Sequence, residues 1–288
     1  MNIALIKDRL YQYYLLTRFD RPIGILLLLW PTLWALWVAG EGRPDPYILF
    51  VFVSGVVLMR AAGCVINDYA DREFDPHVAR TKLRPIAAGK VTPREALTLF
   101  VVLCLTAFGL VLTLDWFTIG LSFGGAALVT VYPFMKRYTH LPQVVLGMAF
   151  GWAVPMAFAA QTGSLPKIAW LLYIITILWA VIYDTMYAMV DREDDLQVGV
   201  KSTAILFGDA DRVIIGLLQV LMFAALLLVG MQLKLAYTYY MGVLFAAGFA
   251  IWHQYLIHGR KPRQCFKAFL GNNRIGLAVY LGLLFEYL

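Results

Sequence analysis

Charge is scarce in this sequence. Only 15% of its 288 residues are Asp, Glu, Lys or Arg, where a soluble domain carries about 25%. Apolar residues make up 61%, and the mean hydropathy is +0.72. A chain of this length has no interior large enough to hide so much apolar surface, so a water-soluble globule is excluded and the solvent is lipid. Cysteine is also sparse. Cys64, Cys104 and Cys265 are odd in number and far apart, which argues against a disulfide framework and against a thiolate metal site. The four histidines, His77, His140, His253 and His258, are equally scattered and read as structural rather than as metal ligands.

A removable leader is not expected either. The first 21 residues carry Lys7, Arg9, Arg18 and Arg21 but also Asp8 and Asp20. The apolar run behind them is long enough to span and lacks a small-residue cleavage site. An Arg- and Ser-rich, acid-poor organellar leader is absent too, so the expected location is a bacterial inner membrane. The net charge of +6 fits cytoplasmic loops of a membrane protein better than a nucleic-acid surface.

What is present is a series of long apolar runs. A helix crosses a bilayer with about 20 mostly apolar residues. Nine such stretches lie near 22–39, 46–66, 95–114, 117–135, 142–160, 168–189, 213–233, 237–257 and 269–287. No hydrophilic segment of domain size interrupts them. The expectation is therefore an all-α, multi-pass membrane bundle, with 1–288 forming one domain.

Loop charges test that count. With the N-terminus inside, the inner segments hold 19 Lys and Arg residues and the outer loops hold only Arg43, Lys167 and Lys234. Such a bias supports nine spans with a cytoplasmic N-terminus. The two longest connections, near 67–94 and 190–212, then both lie over the cytoplasmic mouth.

Both connections begin in acid. The second span runs into Asn67-Asp68-Tyr69-Ala70-Asp71-Arg72-Glu73-Phe74-Asp75. If its helix continues through 75, Asn67, Asp71 and Asp75 share one face, because i and i+4 are helical neighbours. Like charges at that spacing repel, and a hard divalent cation removes the conflict. Magnesium suits such a site, since it binds through one or two carboxylates, waters and substrate phosphates. The plain alternative is a solvated acidic helix end. Asp68 and Glu73 point away from the stripe and read as structural.

Asp191 and Asp195 repeat the spacing at the end of the sixth span. Two independent acidic motifs on one side of the membrane describe a cavity that holds metal ions around a diphosphate. Basic residues surround it in the sequence: Arg80, Lys82 and Arg84 after the first motif, Lys201 after the second, and Lys136 and Arg137 closing the fourth span behind Tyr132. Each alone could equally express the inside bias. Arg60 lies eight residues before Asp68, about 12 Å deeper along a helix. It either pairs with Asp184 or meets a substrate carboxylate.

These residues resemble the UbiA superfamily of intramembrane prenyltransferases. Its N-D-x-x-D-x-x-x-D pattern is matched by Asn67, Asp68, Asp71 and Asp75, its D-x-x-x-D pattern by Asp191 and Asp195, and its Y-x-x-x-K pattern by Tyr132 and Lys136. Within the superfamily the sequence is most similar to the branch acting on 4-hydroxybenzoate in ubiquinone biosynthesis. Asp20 to Gly24, Trp30 to Trp34, Met59 to Cys64, Tyr132 to Pro142 and Tyr183 through Ala204 carry that likeness.

The resemblance implies nine helices around a central cavity, Mg2+ as cofactor, and a polyprenyl diphosphate and 4-hydroxybenzoate as substrates. The polyprenyl tail would lie in an apolar tunnel open to the lipid bilayer. It implies metal ligation by Asn67, Asp71, Asp75, Asp191 and Asp195, and catalysis by those aspartates with Arg137. Substrate contacts would come from Asn67, Arg72, Lys82, Arg84, Tyr132, Lys136, Lys201, Arg60 and Arg21. For the acceptor carboxylate Arg137, Arg72, Arg60 and Arg21 are the candidates, and the sequence does not rank them. Haem, a naphthoate or homogentisate are the alternative acceptors. A CDP-alcohol phosphotransferase would need one continuous acidic motif, and a cation transporter would need polar residues or broken helices near the midplane.

Overall fold

A computed structural model describes residues 3–77 and 81–288. Arg80 lies outside the described residues. Among them every regular element is helical. In chain order the α-helices are α1 (Ile3–Leu16), α2 (Ile23–Ala39), α3 (Pro46–Ala70), α4 (Pro93–Val111), α5 (Trp116–Val131), α6 (Pro142–Gly151), α7 (Ala153–Thr162), α8 (Lys167–Val198), α9 (Thr203–Phe207), α10 (Asp211–Leu233), α11 (Tyr237–Ile257) and α12 (Pro262–Glu286).

Eight stretches among the described residues are long and apolar enough to cross a membrane, and α2 adds a shorter apolar helix of 17 residues. They match the nine expected runs. α5 reaches its full span by continuing as a 3-10 turn over Tyr132–Arg137, and α6 and α7 together make one span that is interrupted at Trp152.

Helix starts follow local chemistry. Asp45 caps α3 by accepting from Tyr47 N and Ile48 N, with Pro46 in the first turn. Thr92 and Glu95 form a capping box on α4, again with Pro in the first turn. Asp115 caps α5 through Phe117 N and Thr118 N.

α8 is the central helix and packs against α6, α7, α10 and α12. Trp179 on α8 stacks on Trp34 of α2, with ring centroids 5.4 Å apart. Buried donors need internal partners in lipid. Trp179 Nε1 donates to Asn272 Oδ1 at 3.1 Å, and Trp34 Nε1 donates to the Gly276 carbonyl at 3.1 Å. α11 and α12 approach closely because Gly242 faces Gly282. A Cβ on Gly242 would stand 2.6 Å from the Ala278 carbonyl oxygen.

Two expectations about the acidic motifs change. The first helix does not continue through 75: α3 ends at Ala70, Asp71 is its C-cap, and Asp75 opens a 3-10 turn. Pro76 disfavours helix at Asp75, and Arg84 draws the Asp75 carboxylate away. The sixth span, by contrast, does not stop near 189. α8 runs 32 residues, about 48 Å, and so outreaches a hydrocarbon core of about 30 Å. The second motif is therefore part of a helix, which ends at Gly199 with φ 74°.

Candidate active site

Both motifs open onto one cavity of about 490 Å³ at the end of the bundle. Its wall comes from α1, α2, α3, α6, α8 and α12 and from the connections between them. Of the residues singled out in the sequence, Arg21, Arg60, Asn67, Asp71, Asp75, Arg84, Tyr132, Lys136, Asp191, Asp195 and Lys201 line it together. Arg72, Lys82 and Arg137 do not. Arg72 donates to the Tyr69 carbonyl at 2.9 Å and pairs with Glu73 at 3.1 Å. Arg137 donates to the Ala70 carbonyl at 2.6 Å and lies over Phe74 and Phe134, where it braces the end of α3. Lys82 is exposed.

The first motif is held by cations. Asn67 Nδ2 donates to Asp71 Oδ2 at 3.2 Å, and Lys136 forms an ion pair with Asp71 Oδ1 without a hydrogen-bonding angle. Arg84 bridges Asp75, at 2.9 Å, and Asp68, at 3.1 Å. Arg18 closes the network by donating to both oxygens of Asp68 at 2.8 and 3.0 Å. Asp68 is almost wholly buried, so its structural reading fits these contacts. Burial pushes the Asp75 carboxyl above its ordinary value against the pull of Arg84. Burial opposes the Arg84 charge, but Asp68 and Asp75 hold its guanidinium above the ordinary value.

On the second motif Asp184, Tyr187, Asp191 and Asp195 all face the same cavity. Lys201 joins this side to the other: its Nζ donates to the Tyr138 carbonyl at 3.2 Å, and its backbone N–H donates to the Lys136 carbonyl at 3.0 Å. Gln143, at the start of α6, accepts from Thr203 N at 3.1 Å.

A second cavity, of about 420 Å³, opens between α3, α4, α5 and α7, and its wall is mostly apolar, with Val51, Phe52, Phe100, Phe108, Phe123 and Met156 among its residues. It shares Arg60, Tyr132 and Phe150 with the polar cavity. Arg60 thus stands at the neck between the two. Its Nη1 contacts Cys64 Sγ, its buried Nε has no partner, and no ion pair joins it to Asp184 among the described residues. Gly24 makes room for it, since a Cβ there would collide with the guanidinium.

The donor set tests the fit of a magnesium ion. It consists of carboxylate and amide oxygens only, from Asn67, Asp71, Asp75, Asp191 and Asp195, and all five line one cavity. Among the described residues, no three acidic, His or Cys side chains close into a ready-made cage. An open arrangement of this kind fits a cation that completes its shell with waters and phosphates.

The family model for the UbiA prenyltransferase family matches residues 28–277. The chain belongs to this family. UbiA-family relatives cover it almost end to end. A 4-hydroxybenzoate octaprenyltransferase of Methylococcus capsulatus is 65% identical over 283 residues, 98% of this chain and 97% of that one. One of Klebsiella pneumoniae is 59% identical over 288 residues, the whole of both. The fold is also that of solved UbiA homologues. The apo structure from Aeropyrum pernix covers 91% of this chain and 98% of its own at 22% identity, with a TM-score of 0.81. One from Archaeoglobus fulgidus, bound to GPP and Mg2+, covers 95% and 99% at 16% identity, with a TM-score of 0.73.

Sequence reasoning missed several wall residues of the UbiA-family cavity. Tyr187 precedes Asp191 by four and belongs to its helical stripe, so periodicity could have found it. Phe266 and Phe269 pack on Tyr187, with the Tyr187–Phe269 centroids 4.8 Å apart. Arg18 carries no local signal for its distant partner Asp68.

Proposed function

We propose that this chain transfers a polyprenyl group from an allylic polyprenyl diphosphate to 4-hydroxybenzoate, at the ring carbon ortho to the hydroxyl, and releases diphosphate. The observation that carries this reading is the junction of the two cavities. A polar chamber with both aspartate motifs meets an apolar one at Arg60, Tyr132 and Phe150. A diphosphate head fits the first and an isoprenoid tail the second. The bond to be broken then lies at the neck. The 65% identical relative supports 4-hydroxybenzoate as acceptor.

Asn67, Asp71, Asp75, Asp191 and Asp195 would hold Mg2+. When bound, it would neutralise the diphosphate as a leaving group. Lys136, Arg84 and Lys201 stand around the same chamber and add positive charge to the departing oxygens. Lys136 and Arg84 pair with Asp71 and Asp75 here, so each has an anion to exchange for diphosphate. As the C–O bond breaks, an allylic cation remains at the neck. Tyr132 and Phe150 face it with aromatic surface and limit water. The ring carbon attacks, and loss of the ring proton restores aromaticity.

Arg60 is the guanidinium we assign to the acceptor carboxylate. An intramembrane charge is costly without an opposite partner. Arg60 has none among the described ion pairs, whereas Arg18, Arg21, Arg72 and Arg84 each pair with an acid and Arg137 is committed to a carbonyl. An aromatic acid held there would place its ring beside the neck.

We further infer that 1–288 works as one domain in a bacterial inner membrane, with this mouth facing the cytoplasm. Loop charge supports the orientation. The reading is tested with purified protein in nanodiscs offered 4-hydroxybenzoate, a naphthoate or homogentisate with geranyl diphosphate. Mass spectrometry should find a geranylated product from 4-hydroxybenzoate. Product from another acceptor, with none from 4-hydroxybenzoate, refutes it.

A further inference from the structure

Outside the cavity wall lies a second ionic cluster, and it grips the helix that carries Asp191 and Asp195. Asp211, the first residue of α10, has no exposed surface. Arg260, in the turn between α11 and α12, donates to it from Nε at 2.9 and 3.1 Å and from Nη2 at 2.8 Å. The same Nη2 donates to the Asp209 carbonyl at 2.7 Å. Arg260 makes this approach from a left-handed backbone, with φ 49°. The third member is Arg192 of α8. Its Nη1 lies 3.7 Å from Asp211 Oδ2 and donates to the Gly208 carbonyl at 3.4 Å.

Arg192 directly follows Asp191. Successive residues of an α-helix differ by about 100° in direction. Fixing Arg192 toward α10 therefore fixes where Asp191 and Asp195 point. This part of α8 lies past its last buried residue, Met189, so the Arg192–Asp211 contact adds a directional hold that apolar packing does not supply there. Arg260 completes the device by compensating the buried Asp211 charge, which would be costly alone. It also ties α10 to the start of α12, whose Phe266 and Phe269 face Tyr187 in the cavity.

We propose that Asp211 and Arg192, backed by Arg260, are positioning residues that hold the C-terminal end of α8 in place and so keep Asp191 and Asp195 turned into the chamber. None of the three lines the chamber. The inference rests on the reading of those aspartates as metal–diphosphate ligands.

The test uses the full chain in nanodiscs, with Mn2+ and the unreactive geranyl thiodiphosphate as probes. Bound Mn2+ is read by electron paramagnetic resonance, and KM is measured separately for each substrate. Arg192→Gln leaves Asp211 paired to Arg260, so the fold is retained. It should weaken Mn2+ binding about tenfold, as removal of an outer partner of a metal site does. KM for geranyl diphosphate should rise with it, KM for 4-hydroxybenzoate should stay, and Arg192→Lys should restore most of the loss. Arg192→Gln with wild-type Mn2+ affinity overturns the proposal, as does a loss of kcat alone in step with folded protein. Asp191→Asn is the control. Wild-type Mn2+ affinity in that variant overturns the metal–diphosphate reading itself, which is a distinct failure.

Discussion

Arg60 carries the most specific residue-scale consequence. It lies at the neck, with a buried Nε that has no hydrogen-bond partner among the described residues. If it binds the acceptor carboxylate, Arg60→Gln removes a charge-assisted hydrogen bond worth about 2 kcal/mol, roughly 30-fold in KM for 4-hydroxybenzoate. KM for the prenyl diphosphate should not move. Steady-state kinetics with each substrate varied in turn checks this, and an equal rise in both constants contradicts the assignment. The sequence marked Arg60 as unusual, because a charge inside an apolar run is rare. It could not choose between Asp184 and a substrate as partner, because that depends on how α3 and α8 rotate against each other. The same limit hid Arg18. Its contact with Asp68 spans 50 residues, and nothing near Arg18 announces it.

At the scale of elements, the spans were legible because a bilayer demands long apolar runs. Their ends were less so. α8 continues nine residues past the expected 189 to Val198, although that stretch is polar, because Gly199 caps it and Arg192, Lys201 and Thr203 find partners around it. α1 was not legible at all: Ile3–Leu16 is neither apolar enough to span nor strongly patterned. Helix starts offer a direct test. Burial raises Asp115, but hydrogen bonds from the Thr118 hydroxyl and from the Thr118 and Phe117 N–H groups together carry its carboxyl below the ordinary value. A lowered carboxyl stabilises the fold above the unfolded pKa and loses that contribution as pH falls through the folded one. Asp115→Ala should therefore cost about 1 kcal/mol at neutral pH. Thermal unfolding in detergent should show the gap to wild type shrinking as the medium turns acid. A gap independent of pH would contradict the cap.

For the whole molecule, the two cavities and their shared neck match the proposed substrate, a charged diphosphate head joined to a long apolar tail. The proposed orientation has its own check. Lys234→Cys and Lys261→Cys, each with Cys64, Cys104 and Cys265 replaced, put single thiols at exposed positions at opposite ends of α11. A membrane-impermeant maleimide added to intact spheroplasts should label the first and spare the second. The reverse pattern would turn the mouth away from the cytoplasm.

In the proposed mechanism two distant aspartate motifs act as one magnesium–diphosphate site. The most direct measurement is the yield of geranylated 4-hydroxybenzoate across a Mg2+ titration in nanodiscs. It compares the wild type with correctly folded Asp71→Ala and Asp191→Ala. The wild type should be silent in EDTA and recover with Mg2+, and each variant should stay below about a hundredth of its rate even at saturating Mg2+. Near-wild-type yield from either variant, or full yield in EDTA, would rule that site out.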